Sequence, residues 1–444
     1  MLERLKSSSQ RLMSVSAWKI RLVFFGGALL VGLVAALFAI GSDYANEWFR
    51  HQATQSAYLP FIITPLGLIL IVWLTRTVFP GAQGSGIPQS IATIEMSRHE
   101  DRAKLLSLRI AVGKILLTIG GLFSGASIGR EGPTVHVGSA IMYSLGHLAK
   151  FPAHFMERGL VMAGGAAGIA AAFNTPLAGI MFAIEEMSRS FEQRTSGTLI
   201  TAVAIAGITA IALQGNYTYF GSAKVEIDVI SSVILAILVC GIIGGVAGGI
   251  FGFLLINGTR WITPLQLRRP LLVAGSCGLI IAIVGYVSGG LTYGTGYEEA
   301  KQLLSGNNDI DNSFSFYKII ATLASYLSGI PGGIFAPSLS AGAGLGGIVS
   351  PWFSATPATA ITILCMVGFF SAVVQTPLTA IIIVMEMTDN QTLLLPIMLT
   401  AFIAYGISRI INPDAIYRTL AIPFIEEAQK KPTPPSRTET GHLP

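Results

Sequence analysis

The stretch SGASIGREGPTVHVG, Ser124 to Gly138, places an acid, Glu131, between glycines at the mouth of an apolar segment. An ionised side chain at mid-bilayer costs on the order of 3 kcal/mol on insertion scales, so an acid inside a spanning region points to work on protons or ions. Pro133 and the glycines at 129 and 132 mark a helix start, because Pro suits a first helical turn and Gly permits the tight backbone ahead of it. The free N–H groups and positive dipole end of that helix would make an anion site, which Glu131, itself an anion, can occupy.

The rest of the composition agrees with a membrane setting. Of the 444 residues, 52% are hydrophobic and only 11% charged, with a mean hydropathy of +0.65. An average soluble domain is about one quarter charged, so the chain reads as a polytopic protein of the lipid bilayer. Apolar runs lie near 22–42, 57–74, 105–124, 159–184, 197–214, 229–257, 271–289, 316–330, 360–385 and 393–411. Several are too short, too long or too glycine-broken for a simple span of about 20 residues. Cys240, Cys277 and Cys365 sit in apolar runs without CxxC spacing, which predicts buried thiols and neither a metal nor a disulfide. No cofactor and no nucleic-acid partner is expected. Arg4, Lys6, Arg11, Lys19 and Arg21 precede the first run, and Arg418, Lys430 and Lys431 follow the last. The positive-inside rule then puts both termini in the cytoplasm, and a cleaved signal peptide is not expected.

Residues 1–21 read as a basic amphipathic helix on the cytoplasmic surface, and 22–215 as a first membrane repeat. Residues 216–228 form a polar connection, 229–421 a second membrane repeat, and 422–444 a cytoplasmic tail too polar and short to fold alone. No appended regulatory domain is expected. GAQGSGIPQS, 81–90, is a second helix start, with Ser85 flanked by glycines and Pro88 at a first helical position. Lys114 is expected to pair with an internal acid such as Glu95 or Glu185, with a permeation-lining charge as the rival reading. FNTPLAGIMFAIEEM ends in Glu185 and Glu186, for which a solvated helix end is the plain alternative. GIIGGVAGGIFG, 241–252, carries GxxxG spacings that mean close helix packing.

An internal repeat ties these stretches together. SGASIGREGPTVHVG matches SGIPGGIFAPSLSAG, 328–342, at an offset of 204, and GSGIPQSIATI, 84–94, faces GTGYEEAKQLL, 294–304, at 210. The stretch from Gly168 to Glu186 faces the one from Gly368 to Glu386, with an offset of 201 across the shared Thr-Pro-Leu. Broken helices at matching places in two halves point to a transporter site near the midplane. The arginines at 260–269 fall inside if the second half is inverted. Glu185 aligns with Glu386, whereas Glu131 faces Phe335 and Glu186 faces Met387, so only one half carries those two acids.

GSGIP (84–88), GREGP (129–133) and GIFAP (333–337) resemble the three hallmark blocks of the CLC family of chloride channels and chloride/proton antiporters, in its prokaryotic form without CBS domains. The resemblance runs from Leu22 to Tyr417. It implies an all-α polytopic membrane protein, an inverted repeat of broken and tilted helices with two halves per subunit. It also implies a homodimer in the cell (inner) membrane, each subunit having its own anion path. By the same resemblance Ser85 looks like the hydroxyl that coordinates chloride, and Ile334 and Phe335 like backbone donors to it. Glu131 is similar to the gating and proton-transfer glutamate, and Glu186 to the internal proton-transfer glutamate of the antiporters. Tyr417 looks like the coordinating tyrosine, although the local spacing leaves room for a shift of several residues. Gln89 stands where acids are frequent in bacterial relatives, which leaves the partner of Lys114 open.

The implied function is exchange of chloride for protons. A passive voltage- or proton-gated chloride channel is the alternative, against which Glu186 argues, and a fluoride exporter is disfavoured by Ser85. GASIG, 125–129, matches the nucleophile elbow of serine hydrolases but lacks its strand-turn-helix context. No catalytic residue is therefore assigned, and His136 and His147 are expected to pack or face the surface.

Overall fold

The computed structural model describes residues 15–96, 98–148, 154–188, 196–215, 218–223, 225, 230–306 and 310–429. In the first half these form helices α1 Val15–Gln55, α2 Pro60–Thr77, α3 Ile87–Glu95, α4 His99–Leu105, α5 Leu108–Phe123, α6 Glu131–Leu148, α7 His154–Phe173, α8 Pro176–Phe182 and α9 Ser196–Gln214. The second half contributes α10 Ile230–Arg268, α11 Pro270–Val287, α12 Tyr297–Leu304, α13 Phe314–Leu327, α14 Phe335–Val349, α15 Ala358–Val374, α16 Pro377–Thr388, α17 Leu394–Ile411 and α18 Ile416–Gln429. A π-helical turn, Ala183–Ser188, continues α8. No strand occurs among the described residues, and six of the helices are long and apolar enough to cross a membrane. The all-α fold expected from the sequence is the fold observed. The N-terminal segment 1–14, residues 216, 217, 224 and 226–228 of the connection, and 430–444 of the tail lie outside the described residues.

Two apolar runs expected as single segments are broken in the structure. Asn174 and Gln375, each at φ 56°, adopt left-handed backbone immediately before a Thr-Pro pair, and Pro176 and Pro377 then open α8 and α16. A non-glycine residue held there costs on the order of 1–2 kcal/mol, so its surroundings must fix it. The Gln375 side chain is anchored to Asn412 O at 2.6 Å and to Ser408 Oγ at 3.2 Å. Other runs are longer than expected. The first continues to Gln55 because Ala45 and Phe49 keep a buried face on its polar extension. At 1.5 Å per residue its 41 residues reach about 60 Å, twice a hydrocarbon core, so α1 must tilt or project.

The two halves match helix for helix: α1 with α10, α2 with α11, α3 with α12, α5 with α13, and α6 to α9 with α14 to α17. Contacts between repeat mates show the inversion. Gly129 and Gly333, 204 apart, pair antiparallel through N–H to O bonds of 2.8 and 2.7 Å. Glu185 accepts from Leu378 N at 3.1 Å and Thr379 N at 2.6 Å, while Glu386 accepts from Leu177 N at 3.1 Å and Ala178 N at 2.8 Å. Each acid thus caps the other half's broken helix, which two antiparallel copies about one axis allow.

The glycine run in α10 packs as its spacing predicts. A Cβ on Gly244 would stand 2.7 Å from the backbone of Gly368 and Phe369, and one on Gly248 2.6 Å from Phe369 O. The boundary expected at 421 falls inside α18. Leu420, Phe424, Ile425 and Ala428 pack partly buried against the core and keep the chain helical to Gln429.

Candidate functional site

Three helix starts meet where the glycine blocks are stitched together by backbone. Besides the Gly129–Gly333 pair, Gly84 N donates to Ile330 O at 3.2 Å and Gly332 N to Gly84 O at 3.3 Å. From this knot α3 leaves after Gly86, held at φ 96°, α6 leaves at Glu131 and α14 leaves after Ile334. Neither α3 nor α14 has a side-chain cap on its first amides. Helix amino ends of this kind present unsatisfied N–H groups and a positive partial charge to an anion. Gly132 is required by the close approach, since a Cβ there would collide with the Ser85 hydroxyl.

The residues singled out in the sequence come together here. Ser85, Glu131, Ile334, Phe335 and Tyr417 are all buried. Ser85 and Tyr417 are neighbours, yet neither hydroxyl closes a hydrogen bond of normal geometry with a described residue. Tyr417 stands in the first turn of α18, with its ring 5.8 Å from that of Phe335. Phe335 is fixed in turn by Phe370 at 5.0 Å, Phe182 at 6.1 Å and Phe173 at 6.4 Å. The Glu131 carboxylate folds back over Gly129. It faces the amides of Glu131 and Ala336 without a hydrogen bond of normal geometry to either oxygen. Arg130 beside it is buried and tied to Asp43 at 2.5 Å and Ala39 O at 2.8 Å.

Glu186 is buried in the π-helical turn and lies within electrostatic reach of Tyr417. Its neighbour Glu185 points to the α16 cap instead. Single π turns recur at functional positions, and the matching stretch of α16 stays α-helical through Thr388. Two cavities approach the site. One of about 760 Å³ is lined by Asp43, Glu47, Arg50, Arg130 and Thr295. The other, about 320 Å³, is lined by Gln83, Ser85, Gln89, Tyr326 and Glu427.

Lys114 does not pair with either acid expected for it. Its ammonium donates to Gly84 O at 3.1 Å and Gln83 O at 3.4 Å, while Glu95 pairs with Arg418 at 3.5 Å. Lys318, its repeat mate, does the same in the second half, donating to Thr292 O and Gly294 O at 3.0 and 2.8 Å. Each lysine holds the carbonyls of the turn before a short helix. Ser127 is buried with its hydroxyl against Thr322 Oγ1 at 2.9 Å, and no strand leads into it, so the hydrolase geometry is not assembled. His136 packs against Leu105 O at 2.8 Å, and His147 is exposed and stacked on His99. All three cysteines are buried and free. Two features escaped the sequence reading: the Arg130–Asp43 pair, which spans 87 residues with no local signal, and Tyr326, whose one available signal was an aromatic hydroxyl two residues before SGIPGG.

Residues 66–409 match the family model described as voltage gated chloride channel. The chain is 31% identical over 433 residues to the H(+)/Cl(-) exchange transporter ClcA of Yersinia pestis bv. Antiqua (strain Angola), covering 89% of this chain and 87% of that protein. Its fold is similar to the X-ray structure of a slow cyanobacterial Cl-/H+ antiporter, with a TM-score of 0.80, 25% identity, and 92% and 98% of the two chains covered. It also resembles a CLC-type fluoride/proton antiporter in fold, with a TM-score of 0.75 and 24% identity over 90% of this chain and 96% of that one. The glycine blocks, the inverted halves and these likenesses lead to one conclusion: the chain belongs to the voltage gated chloride channel, or CLC, family.

Proposed function

We propose that the protein is a secondary active transporter that exchanges chloride for protons across the cell (inner) membrane. The observation that carries this reading is the Glu131 carboxylate, buried at the start of α6 and facing the amides that would otherwise meet an anion. One negative charge excludes another from that position. Ionised Glu131 competes with chloride, and protonated Glu131 yields to it, so proton and chloride occupancy are linked. Helix ends and the hydroxyls of Ser85 and Tyr417 supply donors without a full positive charge, which lets chloride bind and still leave.

The positive-inside rule places both termini in the cytoplasm. The Ser85 cavity, walled by α18, then opens to the cytoplasm and the Arg130 cavity to the outside. Glu186, which the second half lacks, relays protons from the cytoplasm towards Glu131 by a route apart from the chloride path. The resemblance to the family and the name of the Yersinia relative support exchange over a passive channel, and Glu186 is the residue a channel would not need. Each subunit of a homodimer carries its own path, an assembly that crosslinking of the purified protein tests.

The deciding experiment uses liposomes of the purified protein. A chloride gradient is expected to drive protons against their own gradient. Chloride flux without proton movement identifies the channel instead.

A further inference from the structure

We propose that Tyr326 supplies a third hydroxyl to the chloride path, donating to the ion between the Ser85-side cavity and the central position. The proposal rests on the exchange reading above and extends it to a residue outside the three glycine blocks. Tyr326 lies in the last turn of α13. That end is firmly held: Gly329 N donates to Tyr326 O at 3.3 Å, and Gln266 Nε2 donates to Leu327 O at 2.7 Å.

The side chain reaches over the first glycine block. Tyr326 Oη is the atom nearest to where a Cβ on Gly84 would stand, at 3.8 Å, one residue from Ser85. Tyr326 lines the same cavity as Ser85 and Gln89 and lies within electrostatic reach of Tyr417. Its hydroxyl makes no hydrogen bond to a described residue. A phenol offers one O–H donor besides its acceptor lone pairs. Ser85, Tyr417 and Tyr326 therefore present three neutral donors to the same path. An anion leaving water there exchanges hydration for hydroxyls and helix-end amides, and Glu427, on the cavity wall, contributes no donor when ionised.

The test is chloride titration of the purified full chain by calorimetry, alongside paired chloride and proton fluxes in liposomes, for the parent, Tyr326→Phe and Tyr326→Gln. The Phe variant keeps the ring and loses only the donor. Its chloride affinity is expected to fall roughly ten- to a hundredfold, the scale of one hydrogen bond to an ion, with the proton to chloride ratio retained. The Gln variant keeps a donor and is expected to bind more tightly than the Phe variant. Parent affinity in the Phe variant overturns the proposal, and so does an equal loss in both variants, which would mean that a donor at this position does not restore binding. If the parent moves no chloride at all, the exchange reading fails and this proposal falls with it. If the parent exchanges normally and the Phe variant matches it, only the role of Tyr326 falls.

Discussion

Glu131 has few ways to satisfy a charge where it stands. Its oxygens meet helix-end amides, with Arg130 as the nearest cation and that cation already tied to Asp43. Its hold on the site is therefore the same kind of hold a chloride ion would have. Glu131→Gln removes the competing charge and the exchangeable proton together. Proton movement is expected to disappear while anion flux persists, and coupling that survives in liposome assays would take Glu131 out of the mechanism. Ser85 is the side-chain donor among the glycines of its block, and its hydroxyl has no protein acceptor of normal geometry. Ser85→Pro removes the donor and is expected to raise nitrate relative to chloride. Unchanged relative permeabilities in anion-exchange flux measurements would mean that the hydroxyl does not touch the ion.

The break before each Thr-Pro pair decides what the adjacent acids do. Glu185 and Glu386 cap each other's half, where the repeat alignment showed only that the first acid recurs in both copies and the second does not. Glu185 holds the Leu378 and Thr379 amides and the Thr379 hydroxyl, the last at 2.8 Å. Glu185→Gln is expected to cost about 1–2 kcal/mol as a lost charged cap and to lower the melting temperature without changing the coupling ratio. Glu186→Gln is expected to reduce proton transport sharply while chloride still crosses. Normal coupling in Glu186→Gln, or selective uncoupling in Glu185→Gln alone, would show that the relay lies elsewhere. The helix starts at Gly86 and Glu131 were legible because Gly and Pro announce themselves. The left-handed turns at Asn174 and Gln375 were not, because Gln does not favour that backbone, a lone Asn is a weak signal for it, and the apolar run continues through both. The partners of Lys114 were hidden for a related reason: backbone carbonyls have no residue identity, so a search among acids could not find them.

Across the whole molecule, inversion lets helix starts from both halves face one point: α3 and α6 from the first, α14 and α18 from the second. The scaffold is nearly symmetric and the site is not. Where α3 begins with Pro88 and Gln89, its mate α12 begins with Glu298 and Glu299, and Glu299 is paired with Arg50. Carboxylates thus occupy the first turn of the second copy, which is closed to an anion by charge. The mate of Glu131 is Phe335, whose ring is locked among three other phenylalanines. On the proposed reading these differences leave one chloride path per subunit, contested by one acid. The most direct measurement is anomalous diffraction from crystals of Glu131→Gln and of the parent grown with bromide. A bromide peak is predicted in the variant where the Glu131 carboxylate now faces the Ala336 amide, with none at that position in the parent. An empty position in the variant, with bromide bound normally beside Ser85, would contradict the claim that Glu131 and chloride compete for one site.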